Sequence, residues 1–189
     1  HNWSASGHVK TLHRPLRAKM VLLADGTEAM TSDGAPSDCV ALAGLGLISS
    51  PVDLVVSGIN PGINVGYDLH YSGTVTAAME AVIWGTPGIS FSMESPEDLK
   101  GPLDFSHAAA VAQRVAAMVL KNGLPVGTLL NVNIPYHPAN DPPELVITRQ
   151  GMRIYRDELV RREDPRGKPY YWIGGEVPPG VVEEGTAVG

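Results

Sequence analysis

A single cysteine, Cys39, among 189 residues excludes an internal disulfide and fits a reducing compartment. No apolar run approaches the ~20 residues that a membrane-spanning helix requires, and no signal-peptide pattern is present. No membrane partner is therefore expected, and the cytoplasm is the expected location. Basic charge is also scarce: 14 Lys and Arg stand against 20 Asp and Glu, giving a formal net charge of −6. A general nucleic-acid surface needs clustered cations to neutralise phosphates, so no stable nucleic-acid partner is expected. An anionic small substrate would need positive charge supplied locally, by a metal ion or by helix N-termini. Repeats and low-complexity tracts are missing too. Gly44-Leu45-Gly46 lacks the later glycine of a dinucleotide fingerprint, and no serine is flanked by the glycines of a nucleophile elbow. Asp68, His70 and Ser72 lie too close in sequence to orient as a hydrolytic triad. An initiating methionine is absent as well: the chain begins at His1 in a loop, so a first strand and helix are expected to be missing upstream.

What is present reads as one ordinary α/β domain with an appendage, since 43% hydrophobic content is enough to bury a core. Lys19 to Leu23 with the Asp25-Gly26 turn reads as the start of a hairpin. Pro36 suits the first turn of a helix whose apolar stripe is Cys39, Leu42 and Ala43, ended by Gly44 or Gly46. On that stripe Cys39 reads as core rather than reactive. A short apolar strand is expected over Val52–Val56. A helix from about Thr74 to Trp84 follows, with Val75, Met79, Val82 and Ile83 inward and Gly85 and Pro87 as stops. With the apolar strand Gly88–Met93, this makes a βαβ unit. A helix over Ser106–Lys121, with Ala109, Ala112, Val115, Ala116 and Val119 inward, and a strand over Leu129–Ile134 complete a core spanning 1–135.

Beyond Pro135 helical periodicity does not return. Residues 136–189 read as an extended hairpin arm, with one hairpin about Gly151 and another segment, Tyr170–Ile173, after the turn Asp164-Pro165-Arg166-Gly167. Clustered Tyr170, Tyr171 and Trp172 cannot bury themselves alone. The arm is either an oligomerisation surface or a cover folded back on its own subunit.

The chemistry concentrates between Ser57 and Ala81, where a strand meets a helix through a polar, glycine-rich loop. Gly58, Gly62 and Gly66 allow sharp turns and close approach of the backbone to a ligand. Asn60, in the loop that follows the strand, offers a hard oxygen for Mg²⁺ or Mn²⁺, although such ions normally also take carboxylates and loop asparagines commonly just satisfy turns. Asn64 has the same two readings. Ser72, Gly73 and Thr74 open a helix, where hydroxyls and unpaired N–H groups can converge on a phosphate; the same residues also serve as a helix cap.

SASGH at Ser4–His8, TSDGAPSDCV at Thr31–Val40, VDLVVSGINPGINVG at Val52–Gly66 and HYSGTVTAAMEA at His70–Ala81 together resemble the SurE survival-protein family of metal-dependent nucleotidases. NVNIP at Asn131–Pro135, TRQGMRIY at Thr148–Tyr155, DPRG at Asp164–Gly167 and YYWIGG at Tyr170–Gly175 follow in the family's order. The resemblance implies a Rossmann-like, mostly parallel sheet with helices on both faces and a C-terminal hairpin arm exchanged between subunits in a homodimer or homotetramer. It implies removal of phosphate from nucleoside 5′- or 3′-monophosphates with one divalent ion per subunit, Mg²⁺ or Mn²⁺. Matched residue by residue, Ser4 and Asn60 correspond to metal ligands, and Asn64, Ser72, Gly73 and Thr74 to the phosphate-facing side. The family's paired aspartates, in an NDDG sequence, have no counterpart here, and the final strand after Glu184-Gly185-Thr186 is also missing. Truncation at both ends is the corresponding expectation, and with it an alternative function: an inactive module that only binds phosphate and assembles.

Overall fold

The computed structural model describes residues 5–96, 98–136, 144–175 and 180–188. In chain order its elements are β1 (Ala18–Leu22), β2 (Glu28–Ser32), α1 (Pro36–Leu42), β3 (Val55–Pro61), α2 (Asp68–Tyr71), α3 (Gly73–Ile83), β4 (Gly88–Met93), α4 (Ser106–Asn122), β5 (Leu129–Ile134), β6 (Asp157–Glu163) and β7 (Pro169–Gly175). They fall into two units, His1–Asn64 with Asp68–Glu144, and Val65–Tyr67 with Leu145–Gly189. Among the described residues no helix is long and apolar enough to cross a membrane.

In the first unit, β3, β4 and β5 form a parallel sheet in that order, with β4 in the centre and buried along its whole length. The period-two alternation of β4 gives it two unlike faces. Ile89, Phe91 and Met93 pack with Ala108, Val111, Val115 and Val119 of α4 and with Ile134. Each such side chain contributes roughly 1.5–3 kcal/mol when fully removed from water. The other face is small, and a Cβ at Gly88 would run into the Ala78 carbonyl oxygen of α3. Helices therefore cover both faces of a parallel sheet, as expected, and β1 and β2 form the expected antiparallel hairpin.

Four boundaries and faces differ from expectation. The strand expected at Val52–Val56 starts at Val55 and runs on to Pro61, because pairing to β4 resumes at Asn60 after a register shift beyond Ser57. On α3 the buried residues are Gly73, Val75, Thr76, Ala77, Ala78, Glu80 and Ala81, whereas Ile83 is 69% exposed. Small alanines, not the larger residues, let this helix approach the sheet closely. On α4 the stripe is Ala108, Val111, Val115 and Val119, and Ala109 points outward. Cys39 is exposed rather than core; the buried side of α1 is Ser37, Asp38 and Ala41. A π-helical turn, Ala43–Leu47, follows α1 and carries Gly46 at φ +103°.

The second unit holds an antiparallel hairpin of β6 and β7, registered Leu159↔Ile173 and Val160↔Trp172. Asp164 closes its turn, with Oδ1 accepting the N–H groups of Arg166 at 2.8 Å and Lys168 at 2.9 Å. The hairpin expected about Gly151 does not form. Arg149 and Arg153 instead make isolated bridges to Thr186 and Gly180.

Asp38 ties the segment before the first hairpin to α1. Its carboxylate accepts the Thr11 N–H at 2.8 Å, the Thr11 hydroxyl at 2.7 Å and the Ala35 N–H at 2.9 Å. Burial opposes its charge, but the hydrogen bonds from Thr11 and Ala35 and the Arg14 charge outweigh that and hold its pKa below the ordinary value. A lowered folded pKa means that the stabilisation is complete above the unfolded carboxylate value and is lost as pH falls through the folded one. The thermal midpoint should therefore drop more steeply below about pH 4 in the wild type than in Asp38→Asn. Parallel melting curves across pH 2–7 would remove Asp38 from the acid transition.

Candidate functional site

The carboxyl edge of the parallel sheet is built from the carboxyl-terminal residues of its strands. Asn60 pairs with Ser92 and Ser92 with Asn133, so a polar row crosses β3, β4 and β5 at one level. Gly58 makes the row possible. It sits in the register shift at φ +121°, a conformation that side chains with a Cβ rarely adopt, and a Cβ there would run into the Phe91 carbonyl oxygen. After the shift, Asn60 donates its Nδ2 to the Gly62 carbonyl at 2.7 Å, and the Gly62 N–H donates to the Met93 carbonyl at 2.7 Å. The amide nitrogen of Asn60 is thus engaged in the turn, while its Oδ1 has no hydrogen-bond partner among the described residues. That oxygen is the atom of Asn60 available to a cation.

Asn64 is buried at the same edge. Its N–H donates to Asn133 Oδ1 at 2.8 Å, its carbonyl accepts from Asn131 at 3.0 Å and Asn133 at 2.9 Å, and its Nδ2 lies 2.6 Å from Ser92 Oγ. Asn60 and Asn64 thus share an edge through Ser92, the register partner of the first and the hydrogen-bond partner of the second, while no hydrogen bond among the described residues joins the two asparagines. Ser72, Gly73 and Thr74 stand at the start of α3, and in a parallel βαβ unit the connecting helix begins at the carboxyl edge of the sheet. Ser72 is the N-cap, its Oγ accepting the Val75 N–H at 3.3 Å. The N–H groups of Gly73 and Thr74 have no acceptor among the described residues, which leaves two donors at the positive end of an 11-residue helix. No hydrogen bond among the described residues joins Ser72, Gly73 or Thr74 to Asn60 or Asn64. Ser4 lies outside the described residues.

Two turns along α3 a second polar cluster fixes the helix against the preceding loop. Glu80 is buried, accepts the Trp84 indole N–H at 2.9 Å and lies 2.7 Å from His8 Nε2 and 3.7 Å from Lys10 Nζ. Burial opposes its ionisation, but His8, the indole and the Lys10 charge together keep its pKa below the ordinary glutamate value. At the helix start, Gly7 donates its N–H to Tyr71 at 3.0 Å. The segment before the first hairpin is thereby anchored at Tyr71, the last residue of α2, and at Glu80 of α3.

A divalent ion of the Mg²⁺ class takes carboxylates as well as neutral oxygens. Among the described residues no group of three or more His, Cys, Asp and Glu side chains could hold one, and Asn60 is neutral. The described residues alone therefore do not fit the ion.

Sequence reading missed Ser92, Asn131 and Asn133, whose side chains hold the loop. Their signal was visible as Ser-Phe-Ser in β4 and Asn-Val-Asn in β5: polar residues at period two in otherwise apolar strands line one face.

Fold and edge define an α/β protein of the open parallel-sheet type, in which a helix begins at the carboxyl edge of the sheet. The model of the family described as "Survival protein SurE" matches residues 1–157. The chain is 50% identical over 187 residues to the 5′-nucleotidase SurE of Chloroflexus aggregans (strain MD-66 / DSM 9485), covering 99% of this chain and 73% of that protein. It is 46% identical over 187 residues to the 5′-nucleotidase SurE of Moorella thermoacetica (strain ATCC 39073 / JCM 9320), covering 98% and 70%. The crystal structure of the SurE protein from Aquifex aeolicus superimposes with a TM-score of 0.73 at 38% identity, over 98% of this chain and 72% of that one. The chain belongs to the SurE family.

Gly58→Ala tests the strand end that carries Asn60. The added methyl must displace the Phe91 carbonyl of the central strand, and the variant should lose about 2 kcal/mol or more of unfolding free energy in urea. A loss within about 0.5 kcal/mol would show that the register shift does not depend on glycine.

Proposed function

We propose that this chain is a nucleotide phosphomonoesterase, removing phosphate from nucleoside 5′- and 3′-monophosphates in the cytoplasm. The observation that carries the reading is the pair of N–H groups on Gly73 and Thr74 that have no acceptor among the described residues, at the ligand edge of the sheet, in a family whose relatives are named 5′-nucleotidases. In this reading the first turn of α3 holds the phosphate, because fixed N–H dipoles stabilise charge on its oxygens without reorganising. Asn64 orients the same group from the sheet side. Asn60 Oδ1 is the candidate contact to one divalent ion, Mg²⁺ or Mn²⁺. With no carboxylate set among the described residues, no step is assigned to that ion.

The same shortage favours a second reading, a module that binds phosphate and assembles without turnover. One assay separates the two. The 189-residue chain is incubated with nucleoside monophosphates and Mg²⁺ or Mn²⁺, with and without EDTA, while phosphate release and calorimetric binding are followed. Release that requires the ion supports the phosphomonoesterase reading. Saturable binding without release supports the second reading, and turnover unchanged in EDTA sinks the metal dependence.

The proposed assembly is a homodimer or homotetramer through the arm, residues 136–189. Leu159 and Ile173 are paired across the hairpin yet 70% and 82% exposed, and an isolated two-stranded ribbon is marginal in water. Paired substitutions Leu159→Glu and Ile173→Glu should convert the oligomer to monomer in sedimentation velocity. An unchanged sedimentation coefficient would remove the arm from the interface.

A further inference from the structure

Asn133 treats the Asn64 peptide as a neighbouring strand would, offering an acceptor to its N–H at 2.8 Å and a donor to its carbonyl at 2.9 Å. The reversed carboxamide would set donor against donor and acceptor against acceptor, so this double contact fixes its orientation. Asn131 adds a donor to the same carbonyl at 3.0 Å and is itself oriented by the Ser90 hydroxyl, 2.9 Å from its Oδ1. Ser90 and Asn131, and Ser92 and Asn133, are paired residues of β4 and β5, so the clamp is mounted on two hydrogen-bonded strands.

The Asn64 side chain retains one freedom. Ser92 Oγ both donates and accepts, so it can pair with either end of the Asn64 carboxamide across their 2.6 Å contact. With Nδ2 on Ser92, the oxygen of Asn64 is left for a ligand; with Oδ1 on Ser92, two N–H donors are left. An oxyanion selects the second arrangement.

We propose that Asn133, supported by Asn131, is a positioning residue that holds Asn64 so that its carboxamide, oriented by Ser92, donates to a phosphate oxygen. The inference rests on the phosphate-binding reading of Asn64. A merely structural role, satisfying polar groups in the sheet, would change stability without changing how phosphate is bound.

The test uses Asn133→Ala, Asn133→Asp and the milder Asn131→Ala in the 189-residue chain. Amide exchange at Asn64 is followed by NMR, together with the thermal midpoint, inorganic phosphate binding, and KM and kcat for a nucleoside monophosphate. Asn133→Ala removes a donor and an acceptor, so Asn64 exchange should accelerate, and KM and the phosphate Kd should rise, about tenfold. The kcat should stay within about threefold of wild type. Asn131→Ala should give a smaller shift in the same direction. Asn133→Asp keeps the acceptor but opposes the Asn64 carbonyl, so it should not rescue.

Unchanged Asn64 exchange, or faster exchange with unchanged KM and phosphate Kd, overturns the proposal. So does a fall in kcat and thermal midpoint with no selective loss of phosphate affinity. If the wild type binds phosphate without turnover, the nucleotidase reading fails alone, and the tenfold change in phosphate Kd still decides the positioning role. A wild type that does not bind phosphate overturns both.

Discussion

The two faces of β4 make opposite demands on the chain, and the rest of the first unit answers them. Ile89, Phe91 and Met93 require a wide apolar partner, which α4 provides through side chains spaced at three and four residues. Gly88, Ser90 and Ser92 require small or polar partners, and α3 meets the glycine with Ala78 while carboxamides meet the serines. A buried hydroxyl without a partner would cost about 1–3 kcal/mol, so the asparagines on β5 and in the loop stabilise the strand as well as shape the edge. The same serines thus connect core packing to the candidate site.

Chemistry at this edge follows from that coupling. Asn60 reaches it only because Gly58 lets β3 shift register against β4 without a clash at the Phe91 carbonyl. Asn64 reaches it because side-chain amides replace a strand that is not there. The helix start needs no such device, since the first N–H groups of any α-helix lack internal partners and here, among the described residues, the Ser72 side chain takes only that of Val75. Neutral donors from the sheet and the positive end of a helix suit an oxyanion in a chain whose net charge is −6.

Membership of the SurE family joins this edge to relatives named as 5′-nucleotidases. A two-stranded ribbon presenting Leu159, Tyr171 and Ile173 on one face and Tyr170 and Trp172 on the other buries little by itself. Its register is nevertheless well determined locally, because the Asp164 carboxylate organises the turn from within.

Local features were legible in the residues alone. The apolar runs at Gly88–Met93 and Leu129–Ile134, the turn at Asp25-Gly26, the proline start of α1 and the Ser72 cap each depend on near neighbours in the chain, so pattern and propensity suffice for them. The motifs also carried the family. Tertiary structure decided what depends on distant partners. Pairing to β4 extended β3 through Ser57, Gly58 and Asn60, which read locally as loop. Close approach to the sheet chose alanines over Ile83 for the buried side of α3, and Cys39 fell on the open side of α1 because Asp38, bonded to Thr11 and Ala35, turned the helix the other way. The role of Asn131 and Asn133 was decided last of all, since a side chain that substitutes for a strand can be recognised only once the residue it holds, Asn64, has been brought beside it.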